Sequence, residues 1–218
     1  EYPNALLVGG ATDVGLWITK RLDTPEHLIL TRFCDDLRAL SSTDTHLHIG
    51  AAADYRSLRA LLLGEYPELT TWLDQLGSAQ VRAQGTLGGN VANGSPIGDA
   101  PPVLMALGAT VTLQSTRGVR TLPVESFFLD YRRTALAADE VIVQFLIPKR
   151  SPAMRVQVDK ISRRHDQDIS TALVACVQRD AVIRIGLGGL AATPRLAEHV
   201  MRSGAIEDLQ KDITPLSD

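Results

Sequence analysis

The sequence predicts an α+β fold with a mixed N-terminal part and a C-terminal part made of antiparallel strands. In the first fifty residues, short apolar β runs alternate with helical patterns, which is typical of a small α/β unit. After residues 148–152, which begin and end with proline, the β runs become long. The pair Arg179-Asp180 separates two of these runs, as in an antiparallel hairpin. We therefore expect a domain boundary near residues 148–153.

In the first part of the chain, the pattern of apolar residues predicts strands and helices in alternation. In chain order they are a strand at residues 5–8, a helix at 14–22, a strand at 27–31, a helix at 36–40 and a strand at 46–50, which together form a predicted subdomain of about residues 1–50. Asp54 is a suitable N-cap for the next helix. The apolar face of that helix carries Leu58, Leu61 and Leu62, and the segment that follows repeats their 3–4 spacing.

In the rest of the chain, the apolar runs predict mainly strands. In chain order we expect an apolar segment at residues 100–107, strands at 109–114, 119–122, 141–146, 154–161, 169–178 and 181–190, and a short helix at 195–201. The predicted domains are then residues 1–150, with a second subdomain at about 51–150, and residues 151–218. The apolar helical positions of Trp17 and Trp72 predict core side chains.

Composition and charge exclude several classes of function. The 218 residues are 44% hydrophobic, which is enough for a sizeable core. A net charge of −3 leaves no excess of lysine and arginine for a nucleic-acid backbone. No apolar stretch is long enough to span a bilayer, and the first residues do not resemble a signal peptide, so a cytoplasmic location is expected.

Cysteine usage and the chain ends give two further expectations. Cys34 and Cys176 are too few to ligate an iron–sulfur cluster or a structural zinc, so we predict free core thiols and no metal site. The sequence begins without methionine, directly before a strand, and its last residues resemble a loop. We therefore expect a truncated C-terminal domain and a chain that is a piece of a longer protein.

Glycine marks the predicted binding site. Five of the seventeen glycines fall between residues 85 and 98, within what we call the second glycine segment, residues 84–99. The first glycine turn, residues 9–13, joins a strand to a helix, an arrangement that suits an anion. Backbone amides without Cβ atoms can converge on phosphate groups. Together these two regions, which we call the two glycine segments, predict a ligand with two phosphates. The spacing of Gly9, Gly10 and Gly15 fits neither the dinucleotide fingerprint nor the Walker loop.

Four motifs in order carry a resemblance to a known family. They lie at residues 7–15, 86–99, 127–132 and 160–170. With them the chain resembles the FAD-binding domain of the xanthine dehydrogenase family of molybdenum hydroxylases, and most strongly the small subunit of its bacterial members. The resemblance implies a two-subdomain FAD-binding fold of the vanillyl-alcohol oxidase type, followed by an antiparallel-sheet domain that closes over the flavin.

The resemblance also implies which residues bind FAD. The two glycine segments would hold its pyrophosphate and adenosine parts from two sides, and Lys160 would reach the cofactor from the last domain. The implied cofactor residues are Leu7, Val8, Gly9, Gly10, Ala11, Thr12, Asp13, Val14, Leu76, Gly85, Thr86, Gly88, Gly89, Asn90, Asn93, Ser95, Gly98, Asp99, Ile142 and Lys160. Leu76 is a departure, because animal members of the family place an aromatic ring there.

The implied activity is electron transfer through the flavin. The family passes electrons from a purine at a molybdenum cofactor through two 2Fe-2S clusters to FAD and then to NAD, with the metal centres on other domains or subunits. The flavin is the redox centre, so no catalytic side chain is expected. Tyr131, Asp166 and Asp168 are implied to lie near NAD. Arg163 and Arg164 are placed to pair with those acids.

Two alternatives stay open. One is the flavin subunit of a carbon monoxide or nicotinate dehydrogenase, which shares the same glycine segments. The other is a non-catalytic nucleotide-binding assembly module. In each enzyme reading the expected partners are a 2Fe-2S domain and a molybdenum-cofactor subunit in a hetero-oligomer, with NAD or oxygen as the electron acceptor.

Overall fold

The computed structural model describes Tyr2, residues 4–164 and residues 168–214. Its helices and strands are interspersed along the chain, which confirms the predicted α+β class. Among the described residues, no helix combines the length and the apolar character needed to cross a membrane.

The elements are numbered along the chain. The strands are β1 (Leu6–Val8), β2 (Leu28–Leu30), β3 (Leu40–Ser42), β4 (His46–Gly50), β5 (Thr110–Ser115), β6 (Gly118–Pro123), β7 (Phe128–Asp130), β8 (Arg133–Thr134), β9 (Val141–Pro148), β10 (Arg155–Ser162), β11 (Ser170–Arg179), β12 (Val182–Gly188) and β13 (Arg195–Leu196). The helices are α1 (Val14–Arg21), α2 (Asp35–Arg38), α3 (Tyr55–Glu65), α4 (Thr70–Gln75), α5 (Ala79–Gln84), α6 (Leu87–Ala92), α7 (Ala100–Leu107), α8 (Glu198–Ser203) and α9 (Leu209–Asp212).

The N-terminal unit is a single βαβ crossover. β1 and β2 pair in parallel, with Leu7 opposite Ile29, and α1 connects them. The unit buries little surface, because α1 has no buried residue and all of β2 is exposed. Cys34 follows this unit and is exposed, so its predicted core position is wrong. Cys176 in β11 is half-buried.

Two antiparallel sheets make up most of the rest. The five-stranded sheet has the order β3-β4-β9-β5-β6, and the four-stranded sheet has the order β10-β11-β12-β13. The predicted hairpin is confirmed, because β11 and β12 pair with Arg179 opposite Val182. Residues 149–154 link the two sheets. All of α7 is buried, and it contacts β9 in one sheet and β11 and β12 in the other.

Strand pairing bears on the predicted subdomains. β3 and β4 lie within residues 1–50, yet β4 pairs with β9, where His48 lies opposite Leu146. A division at residue 50 would separate β4 from its neighbour, so the hydrogen bonding favours a boundary before β3. The division into domains, including the boundary near residues 148–153, stays a prediction.

One local prediction needs correction. The helix predicted at 195–201 starts three residues later, because Leu196 pairs with Gly186 and the chain there forms β13. The second glycine segment contains a helix, α6, which the sequence did not predict. Asp54 caps α3 as predicted, and its Oδ1 accepts a hydrogen bond from the amide of Ser57 at 2.8 Å.

The buried carboxylate of Asp212 joins the last helix, α9, to the start of α8. Asp212 is 4% exposed and accepts hydrogen bonds from the amides of His199 at 3.0 Å and Val200 at 3.2 Å. The His199 ring nitrogen Nδ1 lies 2.8 Å from Asp212 Oδ1. Burial raises the pKa of Asp212, but these hydrogen bonds outweigh that effect and leave the pKa below its ordinary value.

We expect Asp212→Ala to lower the free energy of unfolding by about 1–2 kcal/mol at neutral pH, as loss of a helix cap does. A lowered carboxyl pKa stabilises the fold above the unfolded pKa, and this contribution disappears as the pH falls below about 4. Urea unfolding at pH 7 and pH 3 should therefore show a smaller gap between variant and wild type at pH 3. Exposed Asp44→Ala serves as the control, and an equal gap at both pH values would contradict this role.

Candidate functional site

The first glycine turn lies directly against the second glycine segment. A Cβ atom on Gly10 would lie 1.8 Å from the carbonyl oxygen of Gln84, and one on Gly9 would lie 2.5 Å from Thr86 Oγ1. The obstacle at Gly10 is backbone, which cannot rotate away as a side chain can. Only glycine allows this approach, so the turn after β1 is fixed against the residues that precede α6.

The second glycine segment is anchored on its other side. Thr86 is 3% exposed and caps α6, since its Oγ1 accepts a hydrogen bond from the amide of Gly89 at 3.1 Å. The amide of Gly88 donates to the carbonyl of Ala51 at 2.8 Å. A Cβ on Gly88 would lie 2.6 Å from that oxygen. The start of α6 is therefore held between the first glycine turn and the chain that follows β4.

A cavity of about 440 Å³ lies between the two glycine segments. Its wall contains most of the residues predicted to bind the cofactor, namely Leu7, Val8, Gly9, Gly10, Ala11, Thr12, Asp13, Val14, Leu76, Gly85, Thr86, Gly89, Asn90 and Asn93. A neighbouring cavity of about 90 Å³ is lined by Gly88 and Ile142. The walls of the two cavities share six residues, namely Leu7, Gly9, Thr86, Gly89, Ala92 and Leu136.

The wall of the larger cavity suits a phosphorylated ligand. The N-terminus of α1 lies at the cavity and directs the positive end of the helix dipole toward it. Gly9, Gly10 and Gly89 bring main chain to the surface without side chains in front of it. Asp13 is the N-cap residue of α1, and its side chain makes no capping hydrogen bond. Its role at the ligand stays a prediction.

Behind Leu76 lies a buried ion pair. Lys160 of β10 is 2% exposed at its side chain, and its Nζ lies 2.8 Å from Asp99 Oδ2. The same Nζ donates to the carbonyl of Gln75 at 2.9 Å, and the hydroxyl of Ser170 donates to the other oxygen of Asp99. Asp99 and Lys160 do not line the cavity. They fix the end of α4, directly before Leu76, which does.

The remaining predicted residues lie apart from the cavity. Ser95 and Gly98 form a turn before α7, in which the amide of Gly98 donates to the Ser95 carbonyl at 3.2 Å. Tyr131 is 52% exposed between β7 and β8. Arg164 pairs with Asp168 at 3.3 Å and lowers its pKa, as the sequence suggested. Asp166 lies outside the described residues.

Sequence reasoning missed several residues of the cavity wall. They include Trp17, Tyr55, Val81, Thr134, Leu136 and Glu140. Trp17 was expected in the core and is half-buried at the cavity instead, whereas Trp72 is a core residue as predicted. The position of Trp17 one turn after the first glycine turn is the signal that could have found it.

Glu140 lines the cavity, and the charge of its carboxylate is neutralised by Arg120. Its two carboxylate oxygens accept from Arg120 at 2.6 and 2.7 Å, and one of them accepts from the amide of Ala137 at 2.9 Å. These bonds, that of Arg120 first, lower the pKa of Glu140 to about 2. Glu140 is therefore ionised at neutral pH and paired with a guanidinium, which suits a structural role at the rim.

Comparison with known proteins gives consistent matches. The family model for the FAD binding domain in molybdopterin dehydrogenase matches residues 1–150. Xanthine dehydrogenase/oxidase of Gallus gallus is 31% identical over 95% of this chain, which spans only 17% of that protein. The nicotinate dehydrogenase FAD-subunit of Eubacterium barkeri is 30% identical over 78% of this chain and 59% of its own.

A solved structure also matches almost the whole chain. It is a chain of carbon monoxide dehydrogenase from Hydrogenophaga pseudoflava, described as lacking the Mo-pyranopterin moiety of the molybdenum cofactor. The TM-score is 0.89 at 27% identity, and the match covers 99% of this chain and 81% of that one. The match spans both sheets and the N-terminal unit, so the similarity extends beyond the region that the family model covers.

We expect Gly10→Ala to destabilise the protein by about 1–3 kcal/mol, because the added methyl group meets backbone at the contact between the glycine segments. Gly15→Ala is the matched control, since a Cβ there meets nothing within 4 Å and alanine favours the helix. Denaturant unfolding should place the two variants on opposite sides of wild type. Equal midpoints for both variants would contradict the proposed contact.

We expect Lys160→Met to cost about 3–5 kcal/mol, because Asp99 would stay buried without its cation. The double variant Lys160→Met with Asp99→Asn should lose clearly less than the sum of the two single variants, since it leaves no unpaired charge. A double-mutant cycle by chemical denaturation measures this coupling. Additive losses would show that the pair does not act as a unit.

Proposed function

Because this chain belongs to the family of FAD-binding domains in molybdopterin dehydrogenases, we propose that the cavity between its two glycine segments holds FAD. The observation that carries this proposal is the approach of the two glycine segments. Their backbones meet around one cavity at which a helix begins, and such a site suits a pyrophosphate. FAD, when bound, supplies the redox chemistry through its ring system.

The chain's own residues would bind and orient this cofactor. The first glycine turn and α1 would bind its phosphate groups, while Leu76 and Trp17 offer apolar contact area in the same wall. Lys160 holds the carbonyl of Gln75 and so keeps Leu76 in place. A direct contact of Lys160 and Asp99 with the cofactor, as the family resemblance implies, stays part of the proposal.

We further propose that the whole protein is a xanthine dehydrogenase. In this proposal the bound FAD would supply the redox chemistry that links 2Fe-2S clusters, reduced by purine hydroxylation at a molybdenum subunit, to the reduction of NAD in the cytoplasm. The 31% identity with the Gallus gallus enzyme over nearly the whole chain supports it. Tyr131, Asp166 and Asp168 are then candidates for the region that NAD approaches. The absence of an aromatic ring at Leu76 keeps oxygen open as an acceptor.

A second candidate has its own support. The chain covers 81% of a carbon monoxide dehydrogenase chain and 59% of a nicotinate dehydrogenase FAD-subunit, which favours a separate flavin subunit within a hetero-oligomer. A non-catalytic module is disfavoured, because both glycine segments and the buried Lys160 are present together. The choice between the two enzymes lies in the partners and the acceptor, not in the cavity.

The visible absorption spectrum of the purified protein tests these proposals. We expect flavin bands that bleach when NADH is added without oxygen. Dithionite is the control that shows a bound flavin can be reduced.

The possible outcomes separate the cofactor from the acceptor. Bands that bleach with dithionite but persist with NADH would keep FAD and contradict NAD as the acceptor. A colourless protein that takes up no added FAD would contradict the proposed function itself.

A further inference from the structure

A half-buried arginine spans the turn between α4 and α5. We call residues 74–82 the α4–α5 corner, since they run from the end of α4 into the first turn of α5. Nη1 of Arg82 donates to the carbonyls of Asp74 at 2.9 Å and Gly77 at 2.7 Å. The same nitrogen lies 3.2 Å from the carbonyl oxygen of Leu76. One guanidinium therefore joins α5 to the backbone on both sides of Leu76.

These contacts satisfy the end of a helix. The last carbonyls of a helix have no partner within it, and a cation beside them interacts favourably with the helix dipole. Nζ of Lys160 donates to the carbonyl of Gln75, so all four carbonyl oxygens of residues 74–77 lie within hydrogen-bond distance of a cationic nitrogen. Lys160 is shared with Asp99, whereas every hydrogen bond that the Arg82 side chain donates within the described residues goes to the α4–α5 corner.

The backbone of the corner turns tightly. Gly77 has a φ of +57°, in the left-handed region that favours glycine, and a Cβ there would lie 2.7 Å from Cγ1 of Val81. Ser78 caps α5, since its Oγ accepts a hydrogen bond from the amide of Val81 at 3.2 Å. The amide of Arg82 donates to the carbonyl of Ser78 at 2.9 Å. The turn and the arginine that spans it therefore form one compact unit.

The corner forms one apolar part of the cavity wall. Leu76, before the turn, and Val81, after it, both line the cavity, and Gly85 at the end of α5 does so too. Arg82 follows Val81 directly and contacts the main chain of Leu76. The position and shape of this part of the wall therefore depend on where the corner lies, and Arg82 helps to hold it there.

We propose that Arg82 is a positioning residue of the cofactor site, which keeps the wall at Leu76 and Val81 in the position that FAD requires. The inference rests on the proposed function, because it takes FAD as the ligand of this cavity. Arg82 does not itself line the cavity, so it acts through the corner and not by touching the cofactor. Without the guanidinium, three carbonyls lose a cationic neighbour, and the corner is free to move relative to the first glycine turn. Affinity for FAD then falls even in protein that stays folded.

The test compares Arg82→Met and Arg82→Lys with Arg59→Met as a matched control. Arg59 also holds α4, but its Nη1 pairs with the side-chain carboxylate of Asp74, at 2.8 Å, on the exposed side of the helix. Methionine keeps an apolar stem without donors, whereas lysine keeps the charge and three donors on a shorter stem. The measurements are the Kd for FAD, by titration of the cofactor-free protein well below its Tm, and the Tm without FAD.

We expect Arg82→Met to weaken FAD binding about tenfold, the equivalent of about 1.4 kcal/mol, and to lower the Tm without FAD by about 2–4 °C. Arg82→Lys should restore part of the affinity, with a Kd between those of Arg82→Met and wild type. Arg59→Met should keep the Kd of wild type, although it removes a cation from the same helix.

Two results would overturn the inference. One is a wild-type Kd for Arg82→Met beside a lowered Tm, which would show that Arg82 stabilises the fold and no more. The other is a loss of affinity for Arg59→Met as large as that for Arg82→Met, which would show that any loosening of α4 has this effect. Should Arg82→Met fail to fold, the Kd of Arg82→Lys decides on the same criteria. None of these results touches the proposed function, which fails only if the wild-type protein binds no FAD.

Discussion

The close approach of the first glycine turn, at Gly10, to the backbone of Gln84 determines how the cavity is built. The N-terminal βαβ unit buries little surface of its own, since α1 has no buried residue and β2 is exposed. Its position depends on the contact of the first glycine turn with Gln84 and Thr86. Arg32 adds a hydrogen bond at 2.5 Å to the side chain of Gln84. A side chain at Gly10 would force the unit away and open the cavity.

The two sheets support the other wall of the cavity. The helix α7 is entirely buried and contacts both of them, so it fixes one sheet relative to the other. From the four-stranded sheet, Lys160 and Ser170 reach Asp99 just before α7, and Lys160 also holds the end of α4. The C-terminal sheet therefore affects the cavity through Leu76, although its own residues lie behind the wall. In this arrangement the buried charge of Lys160 positions the residue beside the cavity.

How far sequence reasoning reaches depends on whether a feature is local. Glycine at positions 9 and 10 after an apolar strand marks a close backbone approach, so the two glycine segments and the strands beside them could be predicted. The short α6 could not, because glycine disfavours helix and the helix depends on the cap at Thr86. Tyr55 and Glu140 reach the cavity only through pairing distant in sequence.

Hydrogen exchange with and without FAD offers a decisive comparison, because it reports on every backbone amide at once. If FAD lies between the two glycine segments, amides in residues 9–14 and 85–93 should both exchange more slowly when the cofactor is bound, while the β11–β12 hairpin turn changes little. Protection of only one segment, or protection confined to another face of the protein, would contradict a shared cradle. It would place any bound flavin outside the cavity that these contacts form.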